Sequence, residues 1–103
     1  MSGSKILDSS VWLDYFFNAQ FTELIDSSEI IYLSALSWYE IKRKLWKEKV
    51  EPQKISRSLE FLRKRVLILS VTTDIADCAT ELSLQHHLAA VDALIYATAK
   101  THS

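Results

Sequence analysis

Short apolar runs alternate with longer stretches of helical periodicity along this 103-residue chain. Each run is too brief for a helix and is therefore predicted to form a buried strand. The predicted strands cover residues 5–7, 29–33 and 66–71. Strands separated by helices are typical of α/β proteins, in which consecutive strands pair in parallel. We therefore predict an α/β fold with a parallel sheet.

Helices are predicted between the strands from capping residues and apolar spacing. Ser9 or Ser10 is expected to cap the first helix, and Thr72 or Thr73 the helix after the third strand. Pro52 ends one helix and suits the first turn of the next. The predicted helices cover residues 10–18, 21–27, 35–49 and 89–100, with two more beginning at residues 52 and 73. The predicted buried stripe of the last helix consists of Val91, Leu94, Ile95 and Thr98.

The composition predicts one soluble domain over residues 1–103. Hydrophobic residues make up 49% of the chain, which is enough for a core, and 24% charged residues argue against disorder. No apolar run approaches the ~18 residues of a membrane span, and no basic-then-apolar leader precedes the first strand. The lone Cys78 cannot form a disulfide within the chain, which fits a reducing compartment. We expect a cytoplasmic protein.

The net charge of −1 conceals three segments of different sign. Residues 1–41 contain one basic and six acidic side chains, and residues 66–103 contain one basic and four acidic ones. Residues 42–65 contain ten basic and three acidic side chains, a net charge near +7. This polarity indicates an anionic partner for the basic segment and a cation for the acidic ones. The alternative is that the basic segment is only the solvated surface of two helices.

Three carboxylates, those of Asp8, Glu40 and Asp92, are candidate site residues. Asp8 ends the first predicted strand, and ligands of open parallel sheets bind beyond the carboxyl ends of the strands. Asp92 interrupts an apolar run, where an ionised group is costly to bury without a cation or a solvent-filled cleft. Oxygen ligands alone favour Mg²⁺ or Mn²⁺ over zinc. If the three converge, they form a divalent-cation site suited to cutting a phosphodiester.

Each carboxylate also has a purely structural interpretation. Asp8 precedes a predicted helix and is a favoured N-cap residue. Ser37 and Glu40 have the spacing of a capping box. Asp92 suits the first turn of a helix, where the macrodipole favours an acid. The sequence contains no glycine-rich phosphate loop, zinc-ligand spacing or Ser-His-Asp arrangement that would indicate another chemistry.

Three segments in this order resemble the PIN-domain ribonucleases, most closely the VapC-like toxins of VapBC toxin–antitoxin pairs. The segments are ILDSSV at residues 6–11, SALSWYE at 34–40 and DALIYATA at 92–99. The resemblance implies a three-layer α/β/α fold and a metal-dependent endoribonuclease. It implies that Asp8, Glu40 and Asp92 are catalytic residues that bind Mg²⁺ or Mn²⁺, and that Ser10 orients the first acid or the attacking water. It further implies an RNA substrate, a cognate antitoxin and a homodimer.

PIN domains usually extend beyond the helix that is predicted to end at Lys100. They add another strand and often a fourth acid in the loop after it. We therefore expect a PIN-like domain whose final strand or strands are missing, with the first strand at an edge of the sheet. The alternative function is a catalytically inactive PIN-like module that binds nucleic acid or protein. A further alternative is an α/β interaction domain whose acids only cap helices.

Aromatic residues around the first helix are denser than one buried stripe requires. Trp12 and Phe16 share a face of this helix, whereas Tyr15, Phe17 and Phe21 lie elsewhere. A helix that is apolar on several sides is deeply buried or faces another chain. The surplus predicts an interface with an antitoxin segment or a second protomer.

Trp46 is a further aromatic residue, and it lies within the basic segment of residues 42–65. Its ring has two interpretations. It stacks on an RNA base, or it packs against the neighbouring helix, and we favour packing. In either case the basic residues around it would attract an RNA backbone with salt-sensitive affinity.

Overall fold

A computed structural model describes residues 4–102 of the chain. The strands are β1 (Ser4–Ile6), β2 (Ile30–Ser34) and β3 (Val66–Leu69). The helices are α1 (Ser9–Asn18), α2 (Thr22–Ile25), α3 (Ala35–Lys47), α4 (Pro52–Arg65), α5 (Thr73–His86) and α6 (Ala90–His102). The predicted α/β fold is confirmed, and the predicted element boundaries move by only a few residues.

The three described strands form one parallel sheet in the order β1-β2-β3. In register, Lys5 of β1 is opposite Ile31 of β2, and Ile31 is opposite Val66 of β3. An ion pair between Lys5 Nζ and Glu29 Oε2, 2.8 Å long, ties the first edge strand to the start of β2. Since the strands are parallel, the segments that follow β1 and β2 leave the sheet at the same edge. This edge carries the candidate site.

The larger core lies on the sheet face that carries Ile31 and Leu33. Helices α1, α3 and α4 cover this face, and their buried residues include Trp12, Ile41 and Leu62. On α4, Ile55 and Leu62 are fully buried and Leu59 is half-buried, so one face of the helix enters this core. The helices on this side therefore pack as their apolar spacing predicts.

A second, smaller core joins α5 to α6. It consists of Ile75, Ala79, Ala93 and Ala97, with Leu94 packed against it. The predicted stripe of α6 is therefore confirmed at Thr98, which is fully buried, and in part at Leu94, but it is wrong at Val91. Val91 is 38% exposed, whereas two alanines that the apolar pattern ranks lower face α5. Small side chains allow two helices to approach closely, and this packing overrides the preference for large apolar residues. On the second face of the sheet, the ring of His102 in α6 stacks on Tyr32 at 6.3 Å between centroids.

Arg65, at the end of α4, has a structural role. Although it belongs to the basic segment, its guanidinium is engaged within the protein rather than exposed to an anionic partner. Its Nε donates to the carbonyl of Ile25 at 2.6 Å. Its Nη2 donates to the carbonyls of Ser27 and Glu29 at 2.9 and 3.1 Å. The guanidinium therefore satisfies three carbonyls of the turn that leads into β2, which fixes the entry of the central strand.

Connections between the elements use left-handed backbone at residues other than glycine. Ala19, Phe21, Lys49 and His87 all have φ between 53° and 62°. Such conformations cost about 1 kcal/mol or more for a residue with a Cβ atom, and they persist because the flanking helices fix them. Tight connections are thus made without glycine. None of the helices between residues 4 and 102 is long and apolar enough to cross a membrane.

Candidate functional site

A solvent-open cleft of about 370 Å³ lies at the carboxyl edge of the sheet, between the start of α1, α3 and α6. All three predicted acids and the predicted serine line this cleft. Its lining consists of Ile6, Asp8, Ser9, Ser10, Glu40, Asp92, Ile95, Tyr96 and Ala99. Three segments that are far apart in sequence therefore bring their carboxylates to one place.

Asp8 serves both as a helix cap and as part of the cleft. It is the N-cap residue of α1, and its Oδ1 accepts the Val11 backbone N–H at 3.3 Å. The prediction that Ser9 or Ser10 caps this helix is therefore wrong. Instead, Ser10 Oγ donates to Asp8 Oδ1 at 2.7 Å. Both hydrogen bonds are to Oδ1, and together they favour one rotamer of the carboxylate.

Glu40 does not take part in a capping box. Helix α3 begins directly after β2, and its N-cap is Ser34, whose Oγ accepts the Leu36 backbone N–H at 3.2 Å. Ser37 lies inside the helix and is fully buried. Glu40 is consequently one turn into α3, half-buried, and its Oε1 accepts a hydrogen bond from Ser9 Oγ at 3.2 Å. The carboxylate is therefore oriented by the residue that follows Asp8.

Asp92 lies in the first turn of α6 and is exposed to solvent. It lines a solvent-open cleft, which is one of the two environments that the sequence offered for a charge in this apolar run. Its neighbour Ala93 packs against α5 instead. Ile95, Tyr96 and Ala99 follow Asp92 at helical spacing on the same face and complete one wall.

The donor atoms of the cleft are of the type that a hard divalent cation prefers. It offers three carboxylates and two serine hydroxyls, all of them oxygen donors, in a space that water can enter. Within residues 4–102, however, no three acidic, histidine or cysteine side chains lie close enough together to hold one ion directly. Mg²⁺ commonly takes one or two carboxylates and keeps several waters, so an ion in this cleft would retain part of its hydration shell.

Sequence reasoning missed Ser9 as a site residue and treated it only as a possible cap. The hydrogen bond between Ser9 and Glu40 joins residues 31 positions apart, so no local sequence pattern predicts it. The wall residues of α6 were accessible to prediction, since Ile95, Tyr96 and Ala99 are three, four and seven positions after Asp92.

The basic segment divides into engaged and available side chains. Lys64 pairs with Glu60 at 3.0 Å, and Lys44 pairs with Glu48 at 2.9 Å. The hydrogen bond from Lys44 lowers the pKa of the Glu48 carboxyl below its usual value. Lys42 and Arg43 are exposed on α3 and have no ion-pair partner among the residues that the structure describes.

Some of the additional aromatic rings of α1 pack inside the protein, and others remain exposed. The ring of Tyr15 stacks on Phe61 of α4 at 5.8 Å, and Phe16 meets Phe61 edge to face at 6.5 Å. Phe17 and Phe21 remain 43% and 45% exposed. A groove of about 490 Å³ adjoins Phe17, lined by Phe16, Phe17, Leu45, Val50, Glu51, Lys54, Arg57 and Ser58.

Trp46 does not pack against the neighbouring helix as we had favoured. Its side chain is 52% exposed and lies with Tyr39, Lys42 and Arg43 along a shallow groove of α3. The aromatic residue that packs on α4 is instead Trp38, whose ring is covered by the Arg63 guanidinium at 4.8 Å. The helix thus turns one tryptophan inward and presents the other to solvent.

Comparison with known proteins places this architecture in a family. The PIN domain matches residues 5–103. A toxin–antitoxin complex from Klebsiella pneumoniae contains a chain with 24% identity and a TM-score of 0.75; the match covers 95% of this chain and 79% of that one. VapC20 of Mycobacterium tuberculosis has 19% identity and a TM-score of 0.71, with 98% and 83% of the two chains covered. No curated relative matches by sequence.

These likenesses in structure show a shared fold, and the family match spans nearly the whole sequence. They agree with the parallel sheet of this chain. The predicted resemblance is confirmed. The chain belongs to the PIN-domain family.

Proposed function

We propose that this protein is a metal-dependent endoribonuclease and acts in the cytoplasm as the toxin of a toxin–antitoxin pair. The observation that carries the proposal is the convergence of Asp8, Glu40 and Asp92 on one cleft in a PIN domain. The matched structures support it, since one is a toxin–antitoxin complex and the other is described as a sarcin–ricin loop cleaving toxin.

In this proposal the three carboxylates hold Mg²⁺ or Mn²⁺, through direct contacts or through water. When bound, the cation supplies Lewis-acid chemistry for the hydrolysis of a phosphodiester. Ser10 holds Asp8 in one rotamer, and Ser9 does the same for Glu40. The negative charge of the cleft would repel a phosphate on its own, so these residues act on RNA only with a cation present.

The antitoxin is proposed to bind the groove beside Phe17. This groove combines exposed apolar surface with the cations Lys54 and Arg57, which suits a segment with both apolar and acidic residues. A basic side chain of the antitoxin, placed among the three acids, would block the cleft. A homodimer of this chain remains a proposal, with the exposed ring of Phe21 available for such a contact.

A catalytically inactive PIN-like binding module is the second candidate. It is favoured by the absence, among the described residues, of three side chains close enough to hold one ion directly. Such a module would bind RNA or protein without a cation, and changes in the acids would leave its binding intact.

Binding of Mn²⁺ by Asp8→Asn separates the two candidates. Asparagine caps a helix as well as aspartate does, so this variant removes a charge while α1 keeps its cap. For the nuclease, we expect Mn²⁺ affinity to fall by about tenfold or more, measured by calorimetry, together with loss of Mn²⁺-stimulated cleavage of a labelled RNA.

The matched control is Asp14→Asn, which makes the same change on an exposed residue of α1 outside the cleft. It should behave as the unmodified protein does. Equal Mn²⁺ binding by Asp8→Asn and the unmodified protein would favour the inactive module.

Ser9→Ala is expected to weaken Mn²⁺ binding and to slow cleavage, each by about tenfold, because Glu40 loses the hydroxyl that orients it. The helix keeps its cap at Asp8, so the free energy of unfolding should change by no more than about 0.5 kcal/mol. Ser9→Thr retains a hydroxyl and should restore most of the affinity. Unchanged Mn²⁺ affinity in Ser9→Ala would show that the hydrogen bond does not position the carboxylate.

A further inference from the structure

The outer face of α3 carries two exposed aromatic rings with two cations between them. We call Tyr39, Lys42, Arg43 and Trp46 the α3 stripe. Their spacing of three, four and seven residues places them on one side of the helix. Tyr39 is 62% exposed and Trp46 is 52% exposed, and together they border a groove of about 380 Å³. Large aromatic rings are costly to leave in water, so this surface is suited to a ligand.

The charge of the α3 stripe defines that ligand. Lys42 and Arg43 are exposed and have no ion-pair partner among the described residues. Arg63 of α4 is a third cation nearby, since its guanidinium lies over the ring of Trp38, which lines the groove. None of the described residues that line this groove carries a carboxylate. An anionic ligand with flat apolar groups therefore complements it, and a polynucleotide strand has both features.

The α3 stripe begins beside the acidic cleft. Tyr39 directly precedes Glu40, which lines the cleft, so the two side chains point about 100° apart on the same turn. From Tyr39 to Trp46 the helix rises about 10.5 Å, which matches about three nucleotides at a spacing of 3.4 Å. A strand that stacks on these rings therefore leads toward the cleft.

We propose that the α3 stripe binds a single-stranded segment of polynucleotide, whose bases stack on Tyr39 and Trp46 and whose phosphates contact Lys42 and Arg43. The identity of this strand as the RNA that flanks the cleaved bond rests on the proposed function. A duplex does not fit, because its bases are already stacked on each other. A second copy of the chain fits poorly, since a two-fold contact would bring Lys42 and Arg43 against their own equivalents.

The test measures affinity for a fluorescein-labelled 12-nucleotide oligouridylate in EDTA, so that no cation supports binding at the acids and no cleavage occurs. We expect Tyr39→Ala and Trp46→Ala each to weaken binding about tenfold, because each loses one stacked base. Trp46→Phe keeps an aromatic face and should remain within about threefold of the unmodified protein. Both altered residues are exposed, so the fold is retained.

Leu84→Ala is the matched apolar control. It removes an apolar side chain that is 75% exposed on α5, outside the α3 stripe, and it should leave the affinity unchanged. Equal losses in Leu84→Ala and Trp46→Ala would overturn the proposal, because general loss of apolar surface would then explain both.

Salt dependence separates the phosphate contacts from the stacking contacts. For single strands the slope of log affinity against log salt falls by about 0.7 for each phosphate contact that is lost. Lys42→Ala and Arg43→Ala should each reduce the slope by about that amount, whereas Trp46→Ala should lower the affinity without changing the slope. Lys64→Ala is the control, because it removes a cation that is already paired with Glu60, and it should leave the slope unchanged.

Two further arms complete the experiment. Oligothymidylate should bind within about tenfold of oligouridylate, because stacking does not read the sugar. An RNA duplex of equal length that bound as tightly as oligouridylate would overturn the proposal. So would a Trp46→Ala variant that changed from dimer to monomer in sedimentation while its oligonucleotide affinity stayed the same.

These outcomes are independent of the cleavage chemistry. If Asp8→Asn kept full Mn²⁺ binding while Trp46→Ala lost oligonucleotide binding, the nuclease proposal would fail and the α3 stripe would stand. If cleavage required the acids but Trp46→Ala bound normally, the nuclease proposal would stand and the α3 stripe would fail.

Discussion

Asp92→Asn is expected to lower the rate of Mn²⁺-stimulated RNA cleavage by about 10³-fold. The substitution is isosteric and removes one negative charge from the wall of the cleft. Each tenfold in rate corresponds to about 1.4 kcal/mol, and a catalytic cation contributes several kcal/mol, so loss of one of its acids accounts for a change of this size. Initial rates on a labelled RNA, at saturating Mn²⁺, give the measurement.

The fold should be insensitive to this change. Asp92 is exposed in the first turn of α6, so its loss costs only the favourable interaction with the helix dipole, a few tenths of a kcal/mol. Asp74→Asn is the matched control, because Asp74 is an exposed acid in the first turn of α5 and does not line the cleft. Full cleavage by Asp92→Asn, or an equal loss in Asp74→Asn, would contradict the assignment.

Trp12→Ala is expected to lower the free energy of unfolding by about 3–5 kcal/mol. Trp12 has no exposed surface and belongs to the larger core, where its ring meets Tyr15 and Phe16 at 6.1 Å. A domain of this size is stable by about 5–15 kcal/mol, so this single cavity removes a large share of the total. Urea unfolding followed by circular dichroism measures the loss.

Phe17→Ala provides the comparison on the same helix. Its ring is 43% exposed, so we expect a loss below about 1.5 kcal/mol. Trp12→Phe should cost less than Trp12→Ala, since it keeps a ring and deletes an indole N–H that has no acceptor among the described residues. A loss below about 1 kcal/mol in Trp12→Ala would show that this residue does not anchor the core.

The parallel sheet was predictable because its signals are local. Three short apolar runs, each followed by a capping residue, are sufficient to define strands and the edge at which they end. Asp8 could be placed at this edge before any coordinates, since a residue that ends the first strand must lie there. The sequence alone presented the helix cap and the cleft as alternative roles for Asp8, but the structure shows that the two roles are compatible.

Other features depend on packing and could not be predicted. The apparent capping box at Ser37 fails because α3 starts at Ala35, directly after β2, with Ser34 as the cap. The predicted start at residue 35 is confirmed, but the spacing of Ser37 and Glu40 alone cannot show that both lie inside the helix. The buried face of α6 was predicted only in part. Thr98 is buried and Leu94 packs against the small core, but α5 contacts Ala93 and Ala97 rather than Val91.

The acids of the cleft are divided between the two cores. Asp8 and Glu40 are fixed by elements of the larger core, whereas Asp92 is carried by α6, which is held chiefly by α5 through Ala79, Ala93 and Ala97. The separation of the third carboxylate from the other two is therefore governed by how deeply α6 seats against its neighbour. A single methyl group added at Ala79, Ala93 or Ala97 would therefore move the Asp92 carboxylate relative to those of Asp8 and Glu40. Every residue that lines the cleft would stay the same.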